Sequence, residues 1–85
     1  MKQKEAWRLL ASVFTYVHKA WGICCVLGTF QHHKVISGKT YGEMRRRIDR
    51  AVVASGRYDG LLFPLTAEGR QQRVAFCRTQ AKKVR

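Results

Sequence analysis

The sequence predicts an all-α single domain spanning residues 1–85, a bundle of three to four helices with an extended Leu61–Pro64 segment before the last helix. Three observations carry this expectation. Apolar residues recur at Trp7, Leu10, Phe14, Val17, Trp21, Cys24 and Leu27, alternating between spacings of three and four, which is the period of a helix face. Capping residues and glycine-bearing turns punctuate the second half of the chain at intervals that suit helices. A length of 85 residues with a hydrophobic share of 46% allows one modest core and excludes disorder for the body of the chain.

Gly22 and Gly28 weaken the first stripe, each costing about 1 kcal/mol relative to Ala inside a helix. The stripe therefore divides near His18–Ala20 into two helices, with one bent helix over residues 4–33 as the alternative. In Val35-Ile36-Ser37-Gly38-Lys39-Thr40, either Ser37 or Thr40 suits the cap of a following helix, and Thr40 and Glu43 have capping-box spacing. That helix gathers Tyr41, Met44, Ile48, Ala51 and Val52 on one face and sets Glu43 four residues before Arg47, a stabilising ion-pair spacing. Ser55–Gly60, with two glycines, Tyr58 and Asp59, ends it in a turn.

Leu61-Leu62-Phe63 is too short for a helix and is stopped by Pro64, so it reads as an extended segment laid across the core. Thr66 caps the last helix, whose Glu68 and whose Arg78, Lys82 and Lys83 match the macrodipole at its two ends. Residues 80–85 read as a mobile, solvated basic tail. The expected core is Trp7, Leu10, Phe14, Trp21, Leu27, Tyr41, Met44, Ile48, Leu62, Phe63, Val74 and Cys77.

The N-terminus imitates two kinds of targeting segment. Met1–Arg8 is basic and Leu9–Val17 is apolar, but Glu5 and the lack of a cleavage site argue against a signal peptide. Extended to Phe30, the run is long enough to span a bilayer, yet it holds Lys19 near its middle, which costs about 2.5–3.5 kcal/mol. A membrane location is disfavoured. Cys24, Cys25 and Cys77 form an odd set whose adjacent pair is poorly placed to bond, which suits a reducing cytoplasm.

The charge is the dominant functional feature. Seventeen Lys and Arg against five Asp and Glu leave a formal net charge of +12. Such a surface attracts nucleic acid, anionic lipid or an acidic protein through its summed potential. The densest cluster is Arg45, Arg46, Arg47 and Arg50, whose planar guanidinium groups fork onto phosphates. Lys39 extends this patch, and Arg70 and Arg73 assist from the last helix. The competing account is a solvated helix face that keeps a basic protein soluble.

Motifs for chemistry do not hold up. Gly38-Lys39-Thr40 resembles the end of a phosphate-binding loop, but His33 stands where that loop needs its first glycine. His18, His32, His33 and the three cysteines include zinc-ligand types without zinc-ligand spacing, and small buried cysteines account for the latter. Each carboxylate has a capping, turn or ion-pair explanation, so no enzyme, cofactor, metal or small-molecule substrate is expected.

Gly22-Ile23-Cys24, Ile36-Ser37, Thr40-Tyr41, Met44, Arg47-Ile48, Leu62-Phe63-Pro64-Leu65-Thr66, Glu68-Gly69, Arg73 and Phe76-Cys77 form a pattern that resembles a group of small phage and prophage proteins of unknown function. The resemblance implies a bacterial host cytoplasm and binding to host machinery. The expected function is a non-enzymatic accessory protein that binds nucleic acid or a nucleoprotein complex through the arginine-rich face. The alternative is a phage-encoded inhibitor, an anti-CRISPR-like protein or a nuclease inhibitor, docking on a host protein or defence effector at its nucleic-acid-binding site. In that case Tyr41, Tyr58 and Phe63 would anchor it. Neither reading excludes an oligomer.

Overall fold

The computed structural model describes residues 1–57 and 59–85. Among these the chain forms four helices and no strand: α1 (Gln3–Tyr16), α2 (Ile23–His32), α3 (Gly38–Ser55) and α4 (Ala67–Lys83). The expected helical bundle is therefore the observed fold. Its radius of gyration of 11.8 Å equals the roughly 12 Å expected for one compact domain of this length.

α1 and α4 pack side by side and antiparallel. Near one end Arg70 of α4 reaches the Phe14 and Thr15 carbonyls of α1, and further along Trp7 meets Phe76 edge-on at 5.9 Å. α2 and α3 form a second pair, joined by the short turn through Lys34, whose φ of 59° is left-handed. The two pairs enclose Trp7, Leu10, Phe14, Leu27, Met44 and Ile48, all essentially without solvent contact. Trp7 keeps its indole N–H satisfied by donating to Gln3 Oε1, while Gln3 Nε2 donates to Glu43 Oε2 and ties α1 to α3.

Several local expectations change on folding. Trp21 is 43% exposed, because the helix ends at Tyr16 and the intervening turn breaks the phase of the stripe. α2 restarts it in a new register and buries Ile23, Val26, Leu27 and Phe30. Phe63, Tyr41 and Val74 are half-buried at the core edge. Ser37, not Thr40, caps α3 by accepting from the Thr40 amide, so the capping box does not form. Glu43 turns to Gln3 instead of Arg47, and the ion pair on α3 is Arg45–Asp49 at 3.0 Å.

The C-terminal end also departs from expectation. α4 runs to Lys83, and Gln80, Ala81 and Val84 are buried, so only the outward charges of residues 80–85 are solvated. Gln80, Ala81 and Val84 continue the inward edge that runs through Gly69, Arg73 and Cys77. Thr66 caps α4 as expected, its hydroxyl accepting from the Gly69 amide at 3.0 Å. Gly69 lies so tightly under the Leu61–Pro64 segment that a Cβ there would collide with the Pro64 carbonyl oxygen. Leu62 of the same segment is buried.

Candidate functional site

The arginine cluster of α3 is spread over one exposed side of the helix and its two flanks. Arg46 and Arg50 follow Lys39 by seven and eleven residues, close to two and three full turns, so the three share one side of the helix. That side is opposite Met44 and Ile48, and all three residues are exposed. Arg50 Nε makes only a long contact to the Arg46 carbonyl oxygen, at 3.5 Å. No carboxylate among the described residues pairs with any of the three.

Arg45 and Arg47 lie on the two flanks. Arg45 donates to Asp49 Oδ1 at 3.0 Å and to the Tyr41 hydroxyl at 3.2 Å, and these bonds raise its pKa further above the ordinary range. Arg47 donates to Gln80 Oε1 at 3.1 Å and joins α3 to α4. Both are half-buried. Charge remains on the flanks, but these two forks are already engaged.

α4 divides its two arginines more sharply. Arg70 donates to the Phe14 and Thr15 carbonyls at 3.3 and 3.4 Å, supplying the C-terminal cation that the last turn of α1 lacks. It also lies about 15 Å along α4 from Gln80, and hence from the α3 flank. Arg73 is 1% exposed, which corrects its assignment to a binding surface. Its guanidinium donates to the Pro64 carbonyl at 2.8 Å and stacks over Phe14 at 5.1 Å from the ring centroid. Burial, and then the like charge of Arg70, pull its pKa down. A signal for this burial was present: Arg73 lies four residues before Cys77 and eight before Ala81, in step with the inward edge of α4.

Cys77 is buried, Cys24 is half-buried and Cys25 is exposed. Burial pushes the Cys77 thiol well up, and pushes Cys24 up against the opposing pull of Arg45. His32 and His33 end α2 with exposed rings packed edge-to-face at 5.1 Å. Among the described residues, no group of three or more His, Cys, Asp or Glu side chains converges as a metal site. Nor is any helix among them long and apolar enough to cross a membrane.

No protein-family model, curated protein or solved structure matches this chain. Its function is read from side-chain geometry and charge. Tyr58, a candidate partner anchor by sequence, lies outside the described residues.

Proposed function

We propose that this chain is a non-enzymatic, phage-type accessory protein that binds a nucleic acid or a nucleoprotein complex through the solvent face of α3. The observation that carries the reading is the alignment of Lys39, Arg46 and Arg50 on one exposed side, with no carboxylate partner among the described residues. Three cations at intervals of one to two turns follow a phosphate backbone, which supplies affinity without sequence readout. Arg45 and Arg47 add to the local potential from the flanks, and the net charge of +12 steers encounter. The compartment proposed is the host cytoplasm.

The test is a fluorescence-polarisation titration against duplex DNA, single-stranded DNA and structured RNA at several salt concentrations, comparing the native chain with Arg46→Glu/Arg50→Glu. Both positions are exposed, so the variant is expected to keep its helical signal. Losing two phosphate contacts lowers the slope of log K against log salt by about 1.8 for a duplex and about 1.4 for a single strand. Equal affinity and equal slope in the two proteins would remove the α3 face from consideration.

One observation favours docking on a host protein instead. Val53 is 80% exposed and continues the Lys39–Arg46–Arg50 line by another turn. An apolar contact beside steering charges suits a protein partner, and binding through it survives salt that abolishes phosphate contacts.

A further inference from the structure

The first turn of α2 and the segment Gly60–Phe63 enclose a cavity of about 170 Å³, and Arg73 forms part of its wall. Two independent features of this cavity await a negative charge. The first is Arg73 itself. It is 1% exposed, it has no carboxylate partner among the described residues, and its Nε is buried with no hydrogen-bond acceptor. A guanidinium removed from water without a counter-charge is costly, and a fixed anion is what offsets that cost.

The second feature is the start of α2. Its cap residue is Gly22, which offers no side-chain acceptor, and the first intrahelical bond is donated by Val26 to the Gly22 carbonyl. The amides of Ile23, Cys24 and Cys25 are thus without helix partners, at the positive end of a ten-residue helix. The same three residues line the cavity that Arg73 borders. α1 also starts without a side-chain cap, at Lys2, whereas α3 and α4 carry side-chain caps from Ser37 and Thr66; what distinguishes α2 is that its free amides border the cavity that Arg73 lines.

We propose that this cavity binds a small oxyanion, a phosphate or a short-chain carboxylate, between the Arg73 guanidinium and the free amides of α2. The volume is below the 300 Å³ or more typical of a drug-sized site and suits a ligand of few heavy atoms. The planar guanidinium fork matches the paired oxygens of a carboxylate or phosphate, and the backbone amides add further donors to them, a geometric match that a spherical halide does not offer. Leu61, Leu62 and Phe63 supply apolar walls that accommodate the hydrocarbon end of a carboxylate. The site is separate from the α3 face and stands whether or not that face binds nucleic acid.

The experiment is amide NMR on the full chain, titrated with sodium phosphate and with sodium butyrate, against sodium chloride at matched ionic strength. Saturable shifts at the Ile23, Cys24 and Cys25 amides with either oxyanion, and not with chloride, are expected. Arg46→Glu/Arg50→Glu is expected to titrate like the native chain, which separates this site from the α3 face. Arg73→Met removes the buried donor and risks unfolding, so Gly22→Asp is the second variant. Gly22 has φ −72° and ψ 155°, a conformation any residue adopts, and a Cβ there meets only Leu61 Cδ2 at 3.4 Å. An Asp caps the helix, occupies the anion's place, and is expected to raise Tm by about 1–4 °C while weakening oxyanion binding at least tenfold. Shifts that fail to saturate, that chloride reproduces, or that persist undiminished in Gly22→Asp would overturn the proposal.

Discussion

Arg70 and Arg73 stand three residues apart on α4 and do different work, one at the end of α1 and the other inside the core. Residue type alone does not separate them. The two tryptophans make the same point. Trp7 is fully buried with its N–H satisfied, whereas Trp21 is 43% exposed. Trp7→Ala is therefore expected to destabilise by about 3–5 kcal/mol, and Trp21→Ala by within about 0.5 kcal/mol, as read from urea midpoints. Comparable losses at both positions would contradict the packing. Cys77 makes a prediction about pH. Its buried thiol stays protonated in the folded chain, while an unfolded thiol releases its proton above about pH 8.5. The folded state then holds the extra proton, so stability falls as pH rises through that range, and is fully retained below it. Urea unfolding between pH 8 and 10 is expected to show a steeper loss in the native chain than in Cys77→Ala, by up to about 1.4 kcal/mol per pH unit. Parallel slopes would place the thiol in solvent.

Each helix shows which terminal signals are local and which come from elsewhere. α3 and α4 start where a hydroxyl caps them, at Ser37 and Thr66; the sequence names Thr66 outright but leaves Ser37 and Thr40 as rivals for the start of α3. α3 stops at Gly56, whose left-handed φ of 71° costs glycine little and other residues more. α2 ends less comfortably. Lys34 takes the left-handed conformation with φ 59° and sends its amide to the Gln31 carbonyl. Lys34→Gly relieves that strain at the expense of a more flexible unfolded chain, and a net gain of about 0.5–1 kcal/mol is expected by thermal or urea unfolding. A loss would show that the turn does not require left-handed backbone. The break between α1 and α2 falls around His18–Ala20 as the sequence led one to expect, but the cation that serves the last carbonyls of α1 was not legible there, because it comes from Arg70, more than fifty residues later. The Glu43–Arg47 pair failed for a similar reason: Gln3 of another helix competes for the same carboxylate.

At the scale of the whole molecule, a net charge of +12 is held within principal extents of 28 × 27 × 24 Å. The Debye length is about 30 Å at 0.01 M salt and about 3 Å at 1 M. Every cation therefore feels the others across the molecule in the first condition, and only its neighbours in the second. Raising sodium chloride over that range is expected to raise Tm steadily through relief of self-repulsion, measured by circular dichroism without phosphate present. A flat profile would mean that the charge does not oppose folding. The sequence by itself determined the all-helical class, the turn through Gly56, the cap of α4, and the largest apolar residues of the core, because hydrophobic period, glycine and hydroxyl caps act within a few residues. The tertiary structure decided which arginines are free. Arg46 and Arg50 stay in solvent, Arg45 and Arg47 are engaged on the flanks, and Arg73 enters the core. Composition fixes how much charge a chain carries, but its availability depends on desolvation and on acceptors brought from distant helices, which exist only once the helices have packed.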